Sequence, residues 1–315
     1  MKKIAILGAG GFVGRSLTAY FNGKYEVLPV TRRNFSLLDE CAVESFINNE
    51  KPQVIINCAN EGGARKGGYS ESTDIVANNL RMFFNIERCM TDNMRMINFG
   101  SGAQYNKQRE LVKVSEETVG EVIPHDAYGF SKLVMSKFIC GNSRRQIFNP
   151  IIFGLFGPFE DYTFKFISNA CIKNLLGMPI VINQNVRFDY LYIDDFFSII
   201  DRLIEAEADS LTHHEFNITP TESITLTEIV DIINEIGDNK SEITVKNPGL
   251  NFEYTGSNIR LLENMGGKYE FLPYRESIGR LYSYYRDNIA SIDTETIRKD
   301  EYIKFCRAKE PGKNN

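Results

Sequence analysis

The first strand and the turn after it limit the architecture of this chain more than any other stretch. Lys3-Ile4-Ala5-Ile6-Leu7 is a short apolar run, Gly8-Ala9-Gly10-Gly11-Phe12-Val13-Gly14 follows at once, and Arg15 to Phe21 reads as a helix. A strand that passes through small residues into a helix N-terminus brings backbone N–H groups close to a pyrophosphate, and the helix dipole favours the negative charge. Gly8, Gly11 and Gly14 keep a G-x-x-G-x-x-G spacing, whereas the G-x-G-x-x-G version fails at Val13. A secretory leader is the competing reading, because Met1-Lys2-Lys3 precedes the apolar residues. The glycines interrupt that run after about five residues, short of a leader's apolar region.

The same alternation continues. Glu26 to Val30 reads as a second strand, Glu40 to Asn49 as a helix, Gln53 to Ala59 as a third strand and Ser72 to Met90 as a long helix with apolar residues at helical spacing. Met94 to Phe99 is a fourth strand, the helix carrying Tyr128 and Lys132 runs to about Cys140, and Gln146 to Phe156 is a further strand. Strand and helix in this order predict an α/β fold, a Rossmann-type doubly wound parallel sheet with its ligand at the carboxyl ends of the strands. Beyond Pro158, helical and strand segments mix over 161–178, 180–192, 194–206, 224–236 and 243–245. They predict a smaller C-terminal substrate-binding lobe. The expected division is 1–158 for the dinucleotide-binding core, with later segments returning to it, 159–290 mainly for the lobe, and 291–315 for a C-terminal extension. Glu276 to Asp287 reads as the last helix and Lys309 to Asn315 as a frayed tail.

Composition narrows the partners. A net charge of -5 without a basic cluster argues against nucleic acid. No apolar run is long enough to span a membrane. Cys41, Cys58, Cys89, Cys140, Cys171 and Cys306 form no C-x-x-C pair, the pattern of reduced thiols in a cytoplasm. His125, His213 and His214 lack partners at metal-ligand spacing, so no zinc site is expected.

Tyr128-Gly129-Phe130-Ser131-Lys132 sets a phenol and an amine one helical turn apart, with Ser101 upstream at the end of an apolar run. A positive charge there is expected to favour phenolate and pull the tyrosine below its usual value of about 10. Such a trio can move a proton onto or off a sugar or ketone oxygen beside a nicotinamide ring. A Y-x-x-x-K pair alone is weak evidence; the order of glycine turn, serine and pair strengthens it. Ser101 read alone could simply end a strand, and Lys132 could be a surface lysine. At the end of the second strand, where a carboxylate would select NAD, the chain offers Arg32 and Arg33, which suit the 2′-phosphate of NADP. NADPH is the expected cofactor and NAD the lesser candidate.

Together the glycine turn, Ser101 four residues before Tyr105, the Tyr128-to-Lys132 pair, Phe153-Gly154-Leu155-Phe156-Gly157-Pro158 and Asp189-Tyr190-Leu191-Tyr192-Ile193-Asp194-Asp195 resemble the extended short-chain dehydrogenase/reductases. The resemblance covers about residues 1 to 285. Thr31 to Asp39 and Asn60-Glu61-Gly62-Gly63 look most like GDP-fucose synthase and the dTDP-4-dehydrorhamnose reductases. It implies an NAD(P)-dependent oxidoreductase acting on a nucleotide-diphosphate sugar; a homodimer is a candidate assembly. Cofactor contacts are implied at Gly8, Gly10, Gly11, Phe12, Val13 and Gly14, then at Cys58 and Ala59. Lys132 would also bind the nicotinamide ribose. Asp39 would touch adenine, or only cap its helix. Gly62 and Gly63, in a glycine-rich loop from Glu61 to Gly68 with Arg65 and Lys66, would cover the substrate, or form a plain solvated loop. Gly102, Ala103, Lys165 and Arg187 complete the expected substrate contacts.

Two departures matter. The family often places an arginine directly before an aspartate near the substrate diphosphate, whereas here the order is Arg187-Phe188-Asp189-Tyr190, which displaces the arginine by one residue. Arg187 could equally be structural. A cysteine used for epimerisation in GDP-fucose synthase is Ala103 here, with no histidine near Lys165. The expected reaction is therefore reduction of a C4 keto group, with Tyr128 as general acid and Ser101 steadying the same oxygen. The alternatives are a 4-epimerase with tightly held NAD and a non-catalytic dinucleotide-binding protein. A 4,6-dehydratase would need an acidic pair after the serine, where Gly102-Ala103-Gln104 stands.

Overall fold

The computed structural model describes residues 1–63, 74–142, 146–207, 210–306 and 308–309. Arg65 and Lys66, with the rest of their loop to Gly68, lie outside the described residues. In chain order the elements begin β1 (Lys3–Leu7), α1 (Phe12–Phe21), β2 (Glu26–Val30), α2 (Glu40–Glu50), β3 (Val54–Asn57), α3 (Ile75–Arg88), β4 (Arg95–Asn98) and β5 (Gly100–Ser101). The middle holds β6 (Leu111–Val114), α4 (Ala127–Gly141), β7 (Ile147–Ile152), β8 (Gly154–Phe156), α5 (Phe166–Leu175), β9 (Ile180–Ile182), β10 (Asn185–Phe188), β11 (Tyr190–Tyr192) and α6 (Ile193–Glu205). The remainder is β12 (Glu215–Ile218), β13 (Ile224–Thr225), α7 (Leu226–Ile236), β14 (Ile243–Val245), β15 (Asn251–Gly256), α8 (Ile259–Asn264), α9 (Tyr274–Asp287) and α10 (Thr294–Arg298).

Strand β1 shows why the main sheet is buried on both faces. Ile4 and Ile6 pack with Leu17 and Phe21 of α1 and Phe196 of α6 on one side. Ala5 and Leu7 pack with Val43 of α2, Phe83 of α3 and Met135 of α4 on the other. An apolar run without alternation is what a parallel strand with helices on both faces requires. The sheet runs β12-β7-β4-β3-β1-β2, with β5 also paired to β7. All its pairings are parallel. From β1 the chain turns first to β2 on one side and then to β3 on the other, so the topological switch lies beside the glycine turn. The doubly wound fold expected from the sequence is the one formed.

Four features depart from the sequence reading. The run from Gln146 to Phe156 is two strands, because at Phe153 the chain leaves the main sheet and β8 pairs with β11 instead. Strand β12 joins the main sheet beside β7 from a stretch to which the sequence reading assigned no element. Helix α9 is not the last, since α10 and a 3-10 turn at Glu301–Phe305 follow. Lys309 is not frayed: its N–H donates to Gln184 Oε1 at 2.7 Å and its carbonyl accepts from Gln184 Nε2 at 2.6 Å. Residues 310–315 lie outside the described residues.

A second sheet, β13-β10-β15-β6, forms most of the smaller lobe. It draws β6 from the first half of the chain, while β12 returns to the main sheet, so we propose the core-and-lobe division with these two crossings. Buried Asp189 ties the lobe together, accepting from Ser223 Oγ at 2.6 Å and from the Gly256 N–H at 2.8 Å. Among the described residues no helix is long and apolar enough to cross a membrane.

Candidate active site

The glycine turn divides its glycines between packing and access. At Gly8, φ is +81°, and an added Cβ would stand 2.8 Å from the Ala59 nitrogen; at Gly14 it would stand 2.8 Å from Ala9 Cα and closer still to the Gly8 carbonyl. These two positions let β1, α1 and the end of β3 close on one another, which brings Cys58 and Ala59 to the turn. Gly10 and Gly11 are less crowded, with nearest neighbours of an added Cβ at 3.8 and 3.6 Å, ordinary contact distances. Gly8 and Ala9 donate to the Val30 carbonyl at 3.0 and 2.9 Å, fixing the turn to the end of β2. No side chain caps α1, and its first-turn N–H groups on Phe12, Val13 and Gly14 have no backbone acceptor among the described residues. Free N–H groups, a helix dipole and two less crowded glycines fit a dinucleotide pyrophosphate.

Arg32 and Arg33 are exposed in the turn after β2, whose Thr31 side chain is the nearest neighbour of Gly10. Asp39 stands further off as the N-cap of α2, its carboxylate accepting from the Ala42 N–H at 3.1 Å. Its capping role is therefore realised.

Ser101 ends β5 and caps a 3-10 turn at Gly102–Tyr105, with its hydroxyl accepting from the Ala103 N–H at 3.2 Å. Asp126 caps helix α4, its carboxylate accepting from the Gly129 N–H at 3.0 Å, and the helix places Tyr128 and Lys132 on the face toward Ser101. Gly129 allows the approach: a Cβ there would stand 2.6 Å from the Ala103 carbonyl. Lys132 Nζ lies 5.7 Å from the centre of the Tyr128 ring and donates to the Phe99 carbonyl at 2.7 Å. The expected trio is thus brought together.

Its electrostatics correct one expectation. Burial raises the Tyr128 phenol above its ordinary value, the hydrogen bond from Ser101 partly offsets this, and Asp126 adds to the rise. Lys132 is lowered to about 8, first by its own burial. Burial is the largest cause for both groups, and it favours the uncharged form of each. Tyr128 is held as a neutral acid, not as phenolate.

A row of buried amides underlies the trio. Asn57 Nδ2 donates to Asn98 Oδ1 at 2.8 Å, Asn98 Nδ2 to Asn149 Oδ1 at 3.4 Å, and Asn149 Nδ2 to Glu215 Oε2 at 2.7 Å. Gln104 Nε2 donates to the same carboxylate oxygen at 3.3 Å, while its Oε1 accepts from the Ser101 N–H at 3.3 Å. At the other end Asn57 Oδ1 accepts from the Ala59 N–H at 3.2 Å. The row links the cofactor edge to the serine across four strands.

The substrate side is met unevenly. Gly62 and Gly63, at φ +79° and +77°, lie against Tyr128; a Cβ on Gly62 would stand 3.3 Å from the Tyr128 Cβ, and one on Gly63 would stand 3.1 Å from Cζ of its ring. Asn79 holds this stretch by accepting from the Glu61 N–H at 2.7 Å and donating to its carbonyl at 3.0 Å. Gly102 adjoins Ser101, but Ala103 is 3% exposed beneath α4. Lys165 is exposed at the N-terminus of α5, and no contact joins it to the trio among the described residues.

Arg187 faces away. On a strand a displacement of one residue reverses the face. Phe188 consequently packs in a tilted arrangement against Tyr254, ring centres 5.5 Å apart, on the side of the site, while Arg187 donates to the Ser223 carbonyl at 3.1 Å and lines a separate cavity of about 300 Å³ with Glu110, Asn185 and Glu253. The sequence reading missed Tyr254, which β15 carries to Gly102. Only its aromatic character in an alternating stretch could have signalled it.

The chain has similar counterparts among known proteins. It is 25% identical over 150 residues to GDP-L-colitose synthase of Yersinia pseudotuberculosis, a match covering 46% of this chain and 48% of that protein. The chain thus spans about half the length of that relative. It is 26% identical over 257 residues to CDP-abequose synthase of the same species, covering 75% of this chain and 85% of the relative. Among solved structures, GDP-mannoheptose C4 reductase from Campylobacter jejuni with NADP bound superposes with a TM-score of 0.75 at 16% identity, over 90% of this chain and 98% of that one. That likeness is one of fold, and it agrees with the doubly wound sheet. Residues 4–219 match a family as a whole, from the glycine turn through the trio to the edge strand β12, and the chain belongs to the NAD dependent epimerase/dehydratase family.

Proposed function

We propose that this protein is an NADPH-dependent reductase of the C4 keto group of a nucleotide-diphosphate-linked 4-keto-6-deoxyhexose, or a related keto sugar, in activated-sugar biosynthesis for surface polysaccharide. The observation that carries the proposal is the convergence of Ser101, Tyr128 and Lys132 with the phenol kept protonated. The names of the similar proteins support it: two are synthases of nucleotide sugars and one is a C4 reductase with NADP bound.

The backbone N–H groups of Phe12, Val13 and Gly14 would hold the cofactor's pyrophosphate, and Arg32 and Arg33 its 2′-phosphate. When bound there, NADPH supplies the hydride. Tyr128 gives its proton to the sugar's carbonyl oxygen as charge develops on it, and the Ser101 hydroxyl donates to the same oxygen. Lys132, anchored on Phe99, stabilises the tyrosinate left behind. Ala103 offers no group that exchanges a proton with a sugar carbon, and this favours plain reduction over epimerisation. A cytoplasmic setting and a homodimer belong to the same proposal.

The test is purified protein with NADPH and a panel of nucleotide-linked 4-keto-6-deoxysugars in deuterated water. Stoichiometric loss of reduced-nicotinamide absorbance is expected, with no enzyme-dependent deuterium at C3 or C5. Label at either carbon, or conversion of a saturated nucleotide sugar without added cofactor, would overturn the reading.

A further inference from the structure

A second phenol reaches the site from the smaller lobe. Tyr254 lies on β15 and is 7% exposed. Its ring is held between Phe153, with centroids 5.1 Å apart, and Phe188, 5.5 Å apart, which fixes where the hydroxyl points. That hydroxyl occupies the space of a missing side chain beside Ser101: a Cβ on Gly102 would stand 2.5 Å from Tyr254 Oη and 3.0 Å from Phe153 Cδ1. Among the described residues the hydroxyl has no hydrogen-bond partner. Among the described residues the unpaired hydroxyls cut off from solvent are those of Ser16, Ser136 and Tyr285, whereas the Tyr254 hydroxyl keeps a solvent-accessible edge and is free to donate to a ligand. Burial, with Tyr128 next and then Asp126, pushes the phenol well above its usual range, so it remains a donor.

A carbonyl oxygen has two acceptor lone pairs, and the Ser101 and Tyr128 hydroxyls take both. A third donor in the same pocket must find a different oxygen. We propose that Tyr254 is a substrate-binding residue whose hydroxyl donates to a hydroxyl of the sugar moiety near the reacting carbonyl, so that the smaller lobe reads the sugar and not only the nucleotide. The proposal rests on the keto-sugar reading above. It adds a contact from a strand 126 positions beyond Tyr128 in the chain.

The test measures binding apart from turnover. GDP, CDP and dTDP, and the saturated hexose conjugate of each, are titrated calorimetrically into NADPH-loaded wild type, Tyr254→Phe and Gly102→Ala, and kcat/KM for the reactive keto sugar is measured alongside. Tyr254→Phe keeps the ring and its packing. It should leave NADPH and free-nucleotide affinities within about twofold while weakening the hexose conjugate about tenfold and lowering kcat/KM at least as much. Gly102→Ala, whose methyl displaces the phenol, should reproduce the selective loss. Equal weakening of nucleotide and conjugate would show a merely structural role, and no weakening would show no contact; either overturns the proposal. If the conjugate weakens selectively but wild type oxidises no NADPH with any keto sugar, the reduction reading falls and the Tyr254 contact stands. Wild type that binds no hexose conjugate overturns both.

Discussion

The glycine turn and the aromatic pocket around Tyr254 both offer hydrogen bonds to a ligand, by opposite means. The turn uses backbone N–H groups and the absence of side chains, within one strand-to-helix connection. The pocket uses side chains alone, gathered from β5, α4, the Phe153 break and β15. Backbone recognition suits a group common to many ligands, such as a pyrophosphate. Recognition by side chains from distant strands can change one residue at a time, which suits the part of the substrate that differs between relatives.

The largest effect should come from the side-chain half. Tyr128→Phe should lower kcat by about 10² to 10⁴-fold while leaving NADPH affinity within about twofold. Near-normal turnover would break the division of labour, because the chemistry would not then reside in that phenol.

Lys132 sharpens the comparison through pH. Its folded value of about 8 lies below the ordinary 10.5, so between those limits the unfolded chain binds more protons than the folded one. Stability from this group must therefore rise with pH across that window, by up to about 3 kcal/mol. Chemical denaturation of wild type and Lys132→Met at a series of pH values should show the difference moving in favour of wild type from pH 8 to 10. A flat difference would mean the ammonium is not desolvated.

In the backbone half, two glycines should separate packing from access. Gly14→Ala forces a methyl against Ala9 and the Gly8 carbonyl and should destabilise by about 1–3 kcal/mol. Gly11→Ala has room, with 3.6 Å to its nearest neighbour, and should leave the melting temperature nearly unchanged while weakening NADPH binding. Identical behaviour of the two variants in thermal melts and cofactor titrations would erase the distinction.

The smallest effect concerns the side chains that serve the backbone half. Replacing both Arg32 and Arg33 by alanine should weaken NADPH about tenfold and NADH by less than about twofold. An unchanged preference in titration would place 2′-phosphate recognition elsewhere.

What could be read from sequence follows the same division. The turn, Ser101 and the Tyr128–Lys132 pair are legible because each is local, set by periodicity and spacing. Tyr254 is not, since its partners Gly102 and Phe153 become neighbours only when β15 pairs beside β6 and β10. Strand β12 was missed because Glu215 and Asn217 are polar yet buried, satisfied by Asn149, Gln104 and Tyr105 from other elements. The phenolate expectation failed for a related reason: spacing shows the charge beside Tyr128 but not the burial that favours the uncharged form. Arg187 shows that a single displaced residue on a strand can remove a contact that family order implies.

The amide row also acts as an index for the sheet. Asn57 stands opposite Asn98, and Glu215 opposite Asn149, at one level across adjacent strands. A slip of any one strand by a single residue would swing its polar group to the opposite face, toward α1 and α6, and leave its neighbours' donors buried without acceptors, at about 1–3 kcal/mol each. Parallel strands of similar apolar composition have little else to tell one register from the next. The row makes the misaligned sheets costly, so the strand ends that carry Ala59 and Ser101 arrive level with each other whenever the chain folds.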